Sequence, residues 1–298
     1  MSSFLLRHPR PEDAEPVTEL IRRLDEALAG ASDFTLADLE DEWRKLPPNR
    51  DAWVVVDGDV VVGYGTVDDR GDARADGYVH PDHFGRGVGA LLVESLEAEL
   101  RRRGSPFVRN ATLLADERGG RLLRSRGYRE VRRFWNMRIE LTEEPVPPAP
   151  PAGCAIETLD VADAEAFHAA YEDAFADHWA HVRRPFDAWR RDHMEGPHYA
   201  PELWRLVRCD GEIAAGAFGV WDRSGAAEVA RLFTRRPWRR RGLADALLRD
   251  AFSLFWRGGR RVVSLGVDAT STTGANVLYE RAGMHVHWGA VVFEKGFA

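Results

Sequence analysis

Apolar positions recur on a helical period in two stretches of the chain. In the second half they fall at 243, 244, 247, 248, 251, 252, 255 and 256, a broad stripe along one side of a helix. In the first half Val88, Leu91, Leu92, Leu96 and Leu100 draw the corresponding stripe. A short apolar run follows each, Phe107–Leu113 and 262–267, and reads as a buried strand. Ahead of each stripe lie two apolar runs joined through Asp-Gly: 52–56 with 60–64 across Asp57-Gly58, and 204–208 with 213–220 across Asp210-Gly211. That dipeptide between strand-like runs signals a hairpin, because its residues accept the positive φ angles a tight turn demands.

The two halves therefore overlay. Asp57-Gly58 matches Asp210-Gly211, Gly87 matches Gly242, and Gly127 matches Gly283, at offsets of 153, 155 and 156 residues. Between the copies, segment 143–153 carries Pro145, Pro147, Pro148, Pro150 and Pro151, a density that forbids helix and reads as an extended linker. Three parts are expected: an N-terminal domain over 1–143, a linker over 144–153 and a C-terminal domain over 154–298. Each domain runs strand, helices, hairpin, strand, glycine loop, helix, strand, helix, strand. This predicts an α/β (α+β) class, two tandem folds, each a mixed central sheet flanked by helices.

Composition narrows the function classes. The 298 residues suffice for two cores, and 44% hydrophobic content with ten tryptophans argues against disorder. The formal charge is 41 − 48 = −7, so no global field favours nucleic acid or an anionic membrane. Arg101-Arg102-Arg103 reads as a solvated helix end rather than a nucleic-acid patch. Cys154 and Cys209 are too few for a disulfide framework and wrongly spaced for a zinc site, and no metal is expected. The first ten residues lack the apolar run of a signal peptide, and no stretch approaches membrane-spanning length. The expectation is a cytoplasmic protein, a monomer or weak homo-oligomer, with no nucleic-acid or membrane partner.

The chemistry is concentrated in Arg239-Arg240-Arg241-Gly242-Leu243-Ala244, which follows a strand-like segment and opens the second stripe. A helix start leaves several backbone N–H groups unpaired and adds partial positive charge. Small residues at 242 and 244 let a phosphate come close to the main chain. Phe84-Gly85-Arg86-Gly87-Val88-Gly89 repeats the device. The chain thus holds two copies of one phosphate-binding unit.

These residues resemble the GNAT acetyltransferase superfamily, whose signature is [Arg/Gln]-x-x-Gly-x-[Gly/Ala] between a central strand and a helix. Arg239, Gly242 and Ala244 match it in full; Gly87 and Gly89 match, with Phe84 where Arg or Gln is usual. The duplicated layout is similar to the tandem acetyltransferases of the mycothiol synthase type, and Leu278-Tyr279-Glu280-Arg281-Ala282-Gly283 is similar to the family's closing segment. The resemblance covers about 4–141 and 154–298.

It implies an acetyl-CoA-dependent N-acetyltransferase that moves an acyl group to the amine of a small-molecule acceptor by direct attack, with the working site in the C-terminal half. A non-catalytic acyl-CoA-binding or regulatory protein of the same fold is the alternative. Cofactor contacts are then expected from Arg239, Arg240, Arg241, Gly242, Leu243, Ala244 and Asp245 for the pyrophosphate. Leu232, Phe233 and Thr234 would pair as a strand edge with the pantetheine, and Ser271 and Thr272 stand where the family often has Asn. Glu228, fourteen residues before Gly242, is the expected general base and Tyr279 the expected general acid. In the first half Ala73 and Arg124 occupy those two places, so catalysis is expected to be absent there. Tyr78, Val79, Gly85, Arg86, Gly87, Val88 and Gly89 remain as candidate coenzyme contacts. Seven of ten tryptophans and seven of ten histidines follow the linker, which focuses the acceptor search on segment 173–199. There Asp173, Asp177, His178 and Trp179 offer carboxylates and aromatic faces to an amine.

Overall fold

The computed structural model describes residues 4–32, 34–179, 181–196, 199–221, 226–270 and 274–297. The elements of the first half are β1 (Leu5–Arg7), α1 (Ala14–Ala29), α2 (Leu36–Lys45), α3 (Pro48–Asp51), β2 (Ala52–Asp57), β3 (Val60–Asp68), β4 (Arg74–Val79), α4 (Val88–Arg102), β5 (Phe107–Leu113), α5 (Glu117–Ser125) and β6 (Arg129–Glu140). The second half runs β7 (Cys154–Thr158), α6 (Ala164–Phe175), α7 (Phe186–Met194), β8 (Trp204–Cys209), β9 (Glu212–Trp221), β10 (Ala227–Thr234), α8 (Leu243–Arg257), β11 (Val262–Asp268), α9 (Ala275–Arg281) and β12 (His285–Gly296). The mixed sheets and flanking helices agree with the class expected from the pattern.

Two compact units result, and their boundaries differ from the expected cut at the linker. Unit 1 is Met1–Phe134 together with Trp288–Ala298; unit 2 is Trp135–His287. The reason lies in the last strand of each half. From Trp288 onward β12 belongs to unit 1, where it runs antiparallel to β5 from Ala290 opposite Leu113 to Gly296 opposite Phe107. From Trp135 onward β6 belongs to unit 2. Unit 1 orders its strands β1-β2-β3-β4-β5-β12 and unit 2 orders them β6-β11-β10-β9-β8-β7.

Both Asp-Gly hairpins form. In β8–β9, Asp210 at φ 49° and Gly211 at φ 86° make the mirror-image turn whose twist suits the flanking strands. Each sheet has apolar clusters on both faces. In unit 2, α8 covers one face with Leu248, Phe252 and Phe255, and α6 and α7 cover the other with Phe167, Tyr171 and Trp189. In unit 1, α4 contributes Leu96 and Leu100 to one side, and α1 and α2 contribute Val17, Leu20, Ile21 and Leu39 to the other. The cysteines do pair. Cys154 on the edge strand β7 stands directly opposite Cys209 on β8, and a disulfide joins them across a sequence separation of 55. Only the strand register brings them together, so spacing alone could not reveal it. Among the described residues no helix is long and apolar enough to cross a membrane.

Candidate functional site

In unit 2 two backbone features converge. The first is a parting of parallel strands. β10 pairs with β11 only at Ala227–Val263 and Glu228–Ser264, after which the strands separate. On its other edge β10 shifts register against β9 between Val229 and Arg231, a bulge that bends the strand away from regular pairing. Beyond it β10 continues through Leu232, Phe233 and Thr234. Phe233 is buried among Phe167, Tyr171 and Phe175, and the Thr234 hydroxyl is buried without a hydrogen-bond partner.

The second feature is the helix start that the opening leads to. Gly242, at φ 82°, precedes α8 without any side-chain cap, and a Cβ there would meet nothing within 4 Å. The amides of the first turn therefore face outward, as an anion site requires. Arg240 also adopts a left-handed backbone, at φ 64°, which costs a non-glycine residue about 1 kcal/mol. Arg240 and Arg241 are exposed beside the helix start.

Arg239 does something other than expected from its charge. Its Nε donates to the Thr234 carbonyl at 3.1 Å and its Nη2 to the Ala174 carbonyl at 3.2 Å, so the guanidinium braces the loop against β10 and α6. Asp245 pairs with Arg249 one helical turn on.

Glu228 sits at the last point of β10–β11 pairing, partly exposed. Tyr279 projects from α9 into a cluster with Val229, Val267 and Met284, and burial pushes its phenol up to about 12. One turn earlier, Asn276 donates from Nδ2 to the Ala269 carbonyl at 3.2 Å and leaves its buried Oδ1 without a partner. Residues three apart share a helix face, so Asn276 and Tyr279 lie together. Sequence reasoning missed Asn276 because it sought the family's Asn at 271 or 272. Those two positions, Ser271 and Thr272, lie outside the described residues.

The acceptor carboxylates expected from sequence form ion pairs with arginines. Asp173 accepts from Arg235 Nε at 2.9 Å, and Asp177 pairs with Arg236. They fasten the end of α6 and the turn beyond it to the loop ahead of Gly242. His178 packs edge-on against Phe175 at 5.3 Å; loss of hydration, helped by Arg231, holds its imidazole below the ordinary value, against the pull of Asp268. Trp179 is half-buried. A buried carboxylate absent from the expectations, Glu172, receives His181 Nε2 at 2.8 Å and the Arg184 amide at 3.3 Å, and so pins the 176–184 segment to α6. The signal was the pair Glu172 and His181, nine apart, which no helical period connects.

Unit 1 repeats the backbone. β4 and β5 pair only at Arg74–Arg109, and Gly87, at φ 95°, starts α4 without a side-chain cap. The side chains differ. Phe84 lies under the Arg118 guanidinium at 5.0 Å, Arg86 pairs with Asp57 at 2.9 Å, and Arg124 lies over the Phe293 ring at 5.1 Å. Ala73 is buried on the α4 side of the sheet. Val79 and Val88 pack in one cluster, Tyr78 stacks on Tyr64, and Gly85 and Gly89 flank Gly87.

Comparison with known proteins matches the architecture. Residues 48–130 match a family model described as an acetyltransferase (GNAT) domain, and residues 164–284 match one described as the acetyltransferase (GNAT) family. A GCN5-related N-acetyltransferase from Sphaerobacter thermophilus is 33% identical, with a TM-score of 0.86 over 98% of this chain and 95% of that one. A tandem GNAT protein from the clavulanic acid biosynthesis pathway, solved without AcCoA, is 17% identical; it covers 99% of this chain and 98% of its own at a TM-score of 0.77, a likeness of fold. No curated protein matches the chain in sequence.

Proposed function

Because the chain belongs to the GNAT acetyltransferase family, we propose that unit 2 transfers an acyl group from acetyl-CoA to the amine of a small-molecule acceptor. The observation that carries this reading is the continuity of the β10–β11 opening with the uncapped start of α8. An extended chain ending in a pyrophosphate fits that path: the open β10 edge offers main-chain pairing, and the helix start takes the anion. The orphaned Thr234 hydroxyl and Asn276 Oδ1 supply polar atoms along the way.

Acetyl-CoA contributes an activated acyl carbon held as a thioester. The residues of this chain do the rest. Leu232, Phe233 and Thr234 align the pantetheine, and an amide of this edge polarises the acyl carbonyl. Glu228 takes a proton from the incoming ammonium, directly or through water, since only the free amine has a lone pair. The nitrogen bonds to the acyl carbon, the carbon–sulfur bond breaks as Tyr279 gives its phenolic proton to the departing sulfur, and the proton still carried by the new amide nitrogen passes to the tyrosinate, directly or through water, which restores the phenol. A phenol held near 12 stays protonated at neutral pH and so remains ready as the donor. Trp179 and His178 lie on the acceptor side, while Asp173 and Asp177 hold that side in place through Arg235 and Arg236.

Calorimetric titration of acetyl-CoA tests the reading. The wild type should bind, and Gly242→Asp, which adds a carboxylate beside the helix start in a strained backbone, should bind at least about 100-fold more weakly. Wild-type protein that gives no binding heat at any concentration would sink the acyltransferase reading.

A further inference from the structure

The chain has two cysteines, and neither takes part in the transfer described above. Cys154 begins the edge strand β7 and Cys209 ends β8, so their disulfide closes the edge of the sheet just before the Asp210-Gly211 turn. The main chain adds one bond there, from the Asp210 amide to the Gly153 carbonyl at 3.2 Å. At the corresponding place in unit 1, one residue before Asp57-Gly58, Val56 stands opposite Leu5. Only unit 2 therefore carries a bond at this point that a thiol can open.

The disulfide packs against the parts that shape the start of α8. Cys209 is buried in one cluster with Leu243, the first residue of α8, and Leu247, one turn later; Cys154, Leu232 and Trp238 pack against that cluster. Leu232 lies on β10, and Trp238 closes the turn Arg236–Trp238 that leads to Gly242. A second, polar route starts from the same hairpin. Glu212, directly opposite Cys209, accepts from Arg235 Nη1 at 3.2 Å, and the Arg235 guanidinium lies over the Trp238 ring at 4.7 Å. The Arg235 amide donates to the Ala214 carbonyl of β9 at 2.9 Å. Both routes end on the loop that sets where the first-turn amides of α8 point. Dense packing passes displacement along such contacts. Because β7 pairs with β8 alone, its covalent tie decides how firmly this side of the cluster is held.

Burial also decides how the bond opens. Cys209 is 2% exposed, whereas Cys154 is partly exposed on the sheet edge. A thiolate of a dithiol therefore attacks Cys154 Sγ, the sulfur–sulfur bond breaks, and Cys209 leaves as a thiolate that takes up a proton. The second thiol of the reductant then displaces Cys154. The protein gains two electrons and two protons, and the dithiol becomes a disulfide. We propose that the Cys154–Cys209 couple is a redox control on the start of α8. The disulfide holds Leu243, Leu247 and Trp238 in the arrangement that receives a pyrophosphate; reduction loosens it and weakens coenzyme binding. The effect on coenzyme rests on the acyltransferase reading, whereas the coupling to Trp238 does not.

The full chain is compared oxidised and after reduction with dithiothreitol that is then removed without air. Desulfo-coenzyme A is the probe, because it keeps the pantetheine and pyrophosphate and has no sulfur to exchange. Thiol titration should find no free thiol before reduction and both cysteines free after it. In calorimetry the dissociation constant should rise at least about fivefold on reduction, the lower end of ordinary coupling between sites, and return on reoxidation. In a proton–nitrogen correlation spectrum the Trp238 indole signal, assigned by its loss in Trp238→Phe, should move with redox state. The signals of Trp189 and Trp204, which lie in another cluster, should stay in place. Cys154→Ser/Cys209→Ser should bind like the reduced wild type and ignore dithiothreitol. A pair that never yields two thiols, or a dissociation constant and a Trp238 signal that are the same in both states, would overturn the proposal. So would a reduction that displaces every indole signal, which marks a staple of the whole unit. If neither state binds the probe, the acyltransferase reading falls, and the Trp238 signal alone decides the coupling.

Discussion

Units 1 and 2 share a cradle and differ in what is placed around it. Each presents a fifteen-residue helix, α4 or α8, begun by an uncapped left-handed glycine, and each leads to it from parallel strands that pair only at their base. These are properties of the main chain, and the copies retain them at 155 residues' distance. The differences are in side chains and in one bulge. β10 shifts register beside Glu228, whereas β4 pairs with β3 in unbroken register from Asp68 to Gly63. Where unit 2 has Glu228, Arg239 and Tyr279, unit 1 has Ala73, Phe84 and Arg124. An uncapped, glycine-started helix is therefore compatible with very different side chains around it, because the amides of its first turn come from whatever residues occupy the turn.

The sharpest way to break this comparison is at the two glycines. Gly242→Asp should weaken acetyl-CoA binding by at least about 100-fold, the scale of removing one strong charge-assisted hydrogen bond and adding a repulsion. Gly87→Asp should change the same affinity less than about threefold, within the effect of a remote surface charge. Equal losses would mean that the two cradles are used alike.

Next come the proton carriers. Tyr279→Phe should lower kcat about 100-fold with the KM for acetyl-CoA unchanged, and Glu228→Gln should cost a similar factor, as for other general acids and bases. The counterpart Arg124→Ala should leave kcat as it is. With the Tyr279 phenol near 12, wild-type kcat should show no alkaline fall from this group until the pH nears that value. A Tyr279→Phe enzyme with full kcat would remove the tyrosine from the reaction.

How much of this was legible without coordinates follows from whether the signal is local. The hairpins, the helices and the glycine-started cradles were, because turn residues and apolar period act over a few positions; Asp210-Gly211 and Gly242 adopt the backbone their neighbours implied. The allocation of the last strands was not. The residues after Trp288 could line either sheet by their own pattern, and only long-range pairing with β5 assigns them to unit 1. The same limit applies at the site. Asp173 and Asp177 read as acceptor contacts on composition, and their ion pairs with Arg235 and Arg236, some sixty residues later in the chain, could not be read there. Asn276, with its buried Oδ1 unpartnered, escapes a family offset because what places it beside Tyr279 is a helix face.

The edges of the two sheets offer a third test. β7 is fixed to β8 by the Cys154–Cys209 disulfide, whereas the equivalent β1 is held to β2 by three opposed residue pairs with no covalent link. Replacing both cysteines by serine should destabilise unit 2 by up to about 4 kcal/mol, the scale for opening a loop of this size, read as a lower unfolding midpoint in urea. Identical midpoints with and without the substitutions would show that β7 needs no such tie.

The smallest expected effect concerns how the two long helices end. α8 closes on Gly258, whose amide reaches the Leu254 carbonyl, and Arg257 Nε donates to the Ser253 carbonyl at 3.3 Å; these contacts do not titrate near or below neutral pH. α4 instead closes through Glu99, which accepts from Arg102 at 2.6 Å and from Arg103 at 2.7 Å, and Arg103 goes on to the buried Asp51 at 2.8 Å. The hydrogen bond from Arg102, followed by that from Arg103, brings Glu99 down to about 2. A carboxylate with a depressed folded-state value binds protons more readily when unfolded. Its contribution is therefore complete above pH 4.5, the ordinary value, and is lost as the pH falls towards 2. Arg102 is largely exposed, so solvent screening keeps the contribution small. Urea midpoints should accordingly place Glu99→Gln below the wild type at pH 6, with the gap closing as the pH is lowered from 4.5 towards 2. A gap that stays constant over that range would assign Glu99 a packing role, and would leave the ends of α4 and α8 equally insensitive to acid.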